Sequence, residues 1–135
     1  MGMNAYHNTN VFGHIICTFT TAGLITDPDW DAFMRDLEKE PVTKYLGVST
    51  GTVEVSSLKR KQGSEILKRR KISSAIVTED RLVRGMVTAV SWLGVDMKAF
   101  SFADLPAAIR YLGGSVYERR IVQYLDEQKL IVKAA

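Results

Sequence analysis

The chain has 135 residues, a net charge of +3 and one cysteine, Cys17. That length is about one domain. With 46% hydrophobic residues it can bury a core without a staple, so extended disorder is excluded, and the lone cysteine excludes an intrachain disulfide and a cysteine-based zinc site.

Residues 1–10 are polar and read as a loose segment, followed by one α/β domain over 11–135. The run VFGHIICTFTT at 11–21 is rich in β-branched and aromatic residues and predicts a strand. Asp27-Pro28 is a helix start, because Asp accepts backbone N–H groups and Pro is preset for the first turn. Trp30, Phe33, Met34 and Leu37 then fall on one helical stripe, which Pro41 ends. KYLGVS at 44–49 predicts a second strand, and Val53 and Val55 alternate as a short extension or hairpin. Ser56 or Ser57 caps a basic helix. ISSAIVT predicts a third strand at 72–78, and a helix from Asp80 carries Val83, Met86, Val87, Val90 and Leu93 until Gly94 stops it.

VDMKAF at 95–100 predicts a fourth strand. Ser101 with Asp104, and Ser115 with Glu118, have the spacing of capping boxes. They open a helix through Leu105, Ala108, Ile109 and Leu112, and a last helix over 115–129 that turns Tyr117, Ile121, Tyr124 and Leu125 to the core. Residues 130–132 form an apolar tail that packs on the body or on a second copy, which would make a homodimer. Strands alternating with amphipathic helices predict an α/β sandwich around a four- or five-stranded, mostly parallel or mixed sheet. Cys17, Trp30 and Trp92 are expected in the core.

The charge is concentrated. Seven of the 18 bases and one of the 15 acids lie between residues 57 and 71, and the rest of the chain is net −3. In LKRKQGSEILKRRK the cations Lys59, Arg60, Lys61, Lys68, Arg69, Arg70 and Lys71 form a patch that suits a partner protein with an acidic surface. Nucleic acid is disfavoured: no aromatic residue lies between Val53 and Ser91 to stack on bases, and no helix-turn-helix or zinc-finger spacing occurs. A phosphate on Ser56 or Ser57 would meet a helix N-terminus beside Lys59 and Arg60, a favourable place for a switch.

No catalytic apparatus emerges, and no cofactor or metal is expected. His7 and His14 lack metal-ligand spacing. Gly47-Val48-Ser49-Thr50-Gly51 matches the letters of a nucleophile elbow, but β-prone residues follow it and both histidines precede it. No phosphate-binding glycine motif is present. Thr20-Thr21 and Thr78-Glu79-Asp80 do not supply a receiver domain's acidic set. No apolar run reaches the roughly 18 residues of a membrane span. The opening MGMNAYHNTN lacks the basic region and apolar core of a secretory signal, and Tyr6 replaces the Ser or Thr of a myristoylation pattern. A cytoplasmic location is therefore expected.

The segment AIVTEDRLVRGMVTAVSWLGVDMKAFSFADLPAAIRYL, with "GLITDPDWDAFM" before it, resembles the small STAS-like domains of bacteria, which share the fold of the sporulation anti-anti-sigma factor SpoIIAA and of SEC14-like proteins. The resemblance covers about residues 11–113. It implies helices largely on one side of the sheet and a non-enzymatic role in protein–protein regulation. It places Ser56 and Ser57 nearest the family's phosphorylated position, with "VSTGTVEVSSLKR" standing in place of the usual motif. Its SEC14-like side implies an alternative, a carrier of a small ligand or lipid. The pocket would lie between sheet and helices and be lined by Phe12, Ile16, Met86 and Phe100.

Overall fold

The computed structural model describes residues 3–134. In chain order its elements are β1 (His7–Phe12), β2 (Ile15–Thr20), β3 (Gly23–Leu24), α1 (Asp27–Leu37), β4 (Lys44–Ser49), β5 (Val53–Glu54), α2 (Ser57–Arg69), β6 (Ser73–Val77), α3 (Arg81–Trp92), β7 (Met97–Phe100), α4 (Leu105–Tyr111) and α5 (Glu118–Ala134). A five-stranded mixed sheet runs β1-β2-β4-β6-β7; β3 and β5 pair in a small parallel ribbon beside it. The α/β class and the mixed sheet are as expected from the alternating periodicity. Among the described residues, no helix is long and apolar enough to cross a membrane.

The strand expected over 11–21 is a hairpin. Gly13 has φ +60°, and with His14 it makes a two-residue turn between the paired Phe12 and Ile15, the arrangement that needs Gly at its first central position. Residues 7–10, expected to be loose, are therefore the first part of β1, antiparallel to β2. From β2 onward each new strand is added parallel on the same side of the last. Right-handed crossovers that always step in one direction place their helices on one face, and α1, α2 and α3 share that face.

Alternation along each strand divides the core. Ile15, Cys17 and Phe19 of β2, Leu46 and Val48 of β4, Ala75 and Val77 of β6, and Phe100 of β7 pack with Ile109, Leu112, Ile121, Tyr124 and Leu125. Ile16 points the other way and packs with Trp30, Phe33, Met34, Leu37 and Leu67; Ile76 does so with Val83 and Val87. The helices thus lie on both faces, unlike the one-sided cover that the family resemblance implies. The reason is that α4 and α5 follow the last strand and are not crossovers. They fold beneath the sheet, where Tyr6 Oη donates to Gln128 Oε1 at 2.5 Å and Tyr124 Oη donates to Asn8 Oδ1 at 2.6 Å.

Local details also differ. Thr26, one residue earlier than expected, caps α1 by accepting the Asp29 N–H, and Pro28 occupies the first turn. Val53 and Glu54 pair with β3 in parallel and form no hairpin. Residues 130–132 are no separate tail: α5 runs through them, with Leu130 and Ile131 exposed and Val132 partly packed on the core. Trp92 stands 82% exposed at the end of α3, outside the core expected for it, whereas Trp30 is buried as expected.

Candidate functional site

Under α1, α2 and α3 the sheet is not apolar. Strand alternation puts Thr18 and Thr20 of β2, Tyr45, Gly47 and Ser49 of β4, and Ser74 and Ile76 of β6 on this face, and the pairing sets Thr18 beside Gly47, Thr20 beside Ser49 and Gly47 beside Ile76. Strands buried on both faces ordinarily read as near-continuous apolar runs. Here one face is a floor of hydroxyls. Gly47 keeps it low, since a Cβ there would stand 2.5 Å from Tyr45 Oη and 2.9 Å from Ile76 Cδ1.

Above this floor is a cavity of about 150 Å³. Its walls are Trp30, Phe33 and Met34 from α1, Gly63 and Leu67 from α2, and Val83, Met86, Val87 and Val90 from α3. Val53 and Val55 close one side. Trp30 is fixed by a 2.8 Å bond from its indole N–H to Gln62 Oε1 and meets Phe33 edge to face. The Trp30 ring faces Gly63 of α2, where an added Cβ would stand 3.4 Å from it.

The floor's polar groups are unevenly satisfied. Thr18 Oγ1 and Tyr45 Oη share a 3.0 Å bond. Burial, the largest influence, pushes the Tyr45 phenol up to about 12 against the downward pull of that bond, so it is neutral across the physiological range. His7 Nδ1 lies 2.9 Å from Thr20 Oγ1, and its Nε2 lies 3.3 Å from Thr9 Oγ1. Burial holds His7 below its ordinary pKa, opposed by the charge of Asp29. Among the described residues, Ser49 Oγ, in a residue 6% exposed, has no hydrogen-bond partner, and neither has Ser74 Oγ. A buried hydroxyl left unpaired costs about 1–3 kcal/mol, and Ser49 lines the cavity.

Of the four residues expected to line a pocket, Met86 does so. Phe12 and Phe100 sit in the core on the opposite face, placed there by strand parity. Ile16 is on the correct face but is fully buried in packing beneath α1 and α2.

The basic helix is α2, with Ser56 as its cap: Ser56 Oγ accepts the Lys59 N–H at 3.3 Å. Ser57 is the first helical residue and is exposed. The seven cations are not equally free. Lys59 is ion-paired to Asp27 at the start of α1, and Arg69 to Glu38 at 2.6 Å. Arg70 donates from Nη1 to Leu37 O at 2.5 Å and Val42 O at 3.0 Å, and from Nη2 to Glu40 O at 3.3 Å, clasping the end of α1. Lys71 has φ 55° at the turn into β6. Among the described residues, Arg60, Lys61, Lys68 and Lys71 make no salt bridge. Arg60, Lys61 and Lys68 rim a groove between α2 and α3 whose floor is Met86, Ala89, Val90, Leu93 and Val95.

Sequence reasoning missed His7, Thr18, Thr20 and Tyr45. The signal was present as hydroxyl residues at every second position of strands otherwise apolar. Among the described residues, no three His, Cys, Asp or Glu side chains converge as metal ligands. Compared with models of known families, with characterised proteins and with solved structures, the chain finds no match.

Proposed function

We propose that this protein is a non-enzymatic binding module that holds a small, mainly apolar molecule between its sheet and α1–α3. One observation carries the reading: a cavity of about 150 Å³ with aromatic and aliphatic walls over a floor that includes the unpartnered hydroxyl of Ser49. Concave sites lined mainly by apolar side chains, with a few polar groups to orient the guest, are the usual form of small-molecule sites. A cavity near this size accepts a benzene-sized guest in other proteins. Binding is favoured over catalysis because, among the described residues, no base is hydrogen-bonded to Ser49 Oγ, and because the Thr20–His7 pair is backed by the Thr9 hydroxyl and not by a carboxylate.

The test is native mass spectrometry of the freshly purified protein, followed by thermal unfolding with small apolar guests. A guest at 100 times its Kd adds about 2.7 kcal/mol to stability. A co-purifying small molecule or a saturable rise in melting temperature supports the reading. No adduct, and no shift with any guest up to millimolar concentration, contradicts it.

A second reading has its own support. The α2–α3 groove combines an apolar floor with the rim of Arg60, Lys61 and Lys68, which complements an amphipathic, acidic segment of a regulatory partner. Reversing Lys61 and Lys68 to Glu would slow such an association and abolish its salt dependence. Binding unaffected by reversal and by salt would remove this reading. The Ser56 hydroxyl is occupied as a helix cap, so any regulatory phosphate is better accepted by exposed Ser57, and phosphopeptide mapping tests that assignment.

A further inference from the structure

We propose that the ligand is a small monocarboxylate: its apolar body, about the size of a benzene ring, fills the cavity, and its carboxylate pairs with Arg60. This rests on the ligand-binding reading above and adds the chemical class of the guest.

Arg60, Ser64, Met86 and Val90 line both the cavity and the α2–α3 groove. These four residues are therefore the shared wall between an apolar interior and a basic exterior. Arg60 is the cation on that wall. Among the described residues it makes no salt bridge and no side-chain hydrogen bond, while Lys59, Arg69 and Arg70 of the same segment are engaged within the chain. An unengaged guanidinium offers a planar fork of donors matched to the two oxygens of a carboxylate. Lys61 and Lys68 stand in the same groove and outnumber its one acid, Glu65, so the entrance favours an anion.

Inside, the rings of Trp30, Phe33 and Tyr45 form one side of the cavity, and aromatic walls favour an aryl body through edge and face contacts. The volume limits that body to about benzene size. At the floor, Ser49 Oγ is an unpaired donor and acceptor in a residue 6% exposed. A guest carrying a hydroxyl or carbonyl on the side remote from its carboxylate satisfies it. The site thus reads three properties at once: anion at the mouth, aryl body between the helices and the sheet, polar atom at the floor.

The test uses Trp30 as reporter. The chain has two tryptophans, and exchanging the exposed one, Trp92→Phe, leaves the cavity-lining indole as the sole tryptophan, excited selectively at the red edge of its absorption. Phenylacetate, para-hydroxyphenylacetate and the neutral phenylethanol are titrated in turn, with benzene as an apolar control. The expected result is that phenylacetate binds at least about tenfold more tightly than phenylethanol, as a charge-assisted pair requires. Arg60→Met should erase that ratio, bringing phenylacetate down to the affinity that the same variant shows for phenylethanol. Ser49→Ala should erase the advantage of the hydroxylated acid. Equal affinity for acid and alcohol overturns the carboxylate assignment and leaves the cavity reading intact. Failure of all four guests to perturb Trp30, in protein whose circular dichroism shows it folded, removes both.

Discussion

Replacing Arg70 with Met removes the guanidinium but keeps much of the apolar stem. Three carbonyls at the end of α1 and in the loop beyond it, Leu37 O, Glu40 O and Val42 O, lose their donor. Hydrogen bonds to a charged group contribute about 1.5–3 kcal/mol each in favourable cases. These three share one half-buried side chain, and the longest, to Glu40, is exposed, so they do not sum. The expected loss is about 2 kcal/mol, carried mainly by the Leu37 and Val42 bonds. For a 135-residue domain that lowers the melting temperature by about 7 °C. Arg70→Lys keeps the charge but not the fork and should lose about half as much. Lys61→Met, from the same charge run, has no such partner and should stay within about 0.5 kcal/mol. Urea unfolding followed by circular dichroism reads all three, with an unchanged slope confirming that only stability has moved. If Arg70→Met and Lys61→Met unfold at the same midpoint, the division of the run into structural and free cations is wrong.

Gly85 lies in α3 with open space around it, so Gly85→Ala should stabilise by about 1 kcal/mol, read by the same unfolding curves. Gly47→Ala, by contrast, must push Tyr45 or Ile76 aside; a cost of about 1–3 kcal/mol and a measurably weaker uptake of apolar guests are expected. His7 is held below its ordinary pKa by burial, so its neutral form is favoured by folding and its contribution is present above the unfolded value. That contribution is lost as pH falls. Chemical unfolding between about pH 7 and pH 5 should therefore show a larger loss of stability in the native protein than in His7→Gln, the window lying below an unfolded pKa of about 6.5.

Much of the fold is legible in the residues because local signals agree. The stripes of α1 and α3, the Pro28 start and the β-branched runs of β2, β4 and β6 each point to an element that is present. What failed were features set by pairing. Gly13 looks like one glycine in a long strand; its left-handed φ makes a turn that recruits His7 to the sheet. Trp92 continues no stripe once α3 ends, so its size alone misplaced it. A cavity between sheet and helices is legible in the pattern of elements, but its lining is not: strand parity turns Phe12 and Phe100 to the opposite face. The charge run was legible as charge. That Arg70 caps α1 depends on residues more than 25 positions away, which no local reading supplies.

The central claim is that the space above the hydroxyl floor takes a guest. Methyl-resolved nuclear magnetic resonance of protein labelled at Ile, Leu, Val and Met, titrated with phenylacetate, tests it most directly. Saturable shifts confined to Met34, Leu67, Val83, Met86, Val87 and Val90, with Ile109, Leu112, Ile121 and Leu125 on the opposite face unmoved, are the predicted result. An unchanged spectrum, or shifts centred on the α4 and α5 face, would contradict the account.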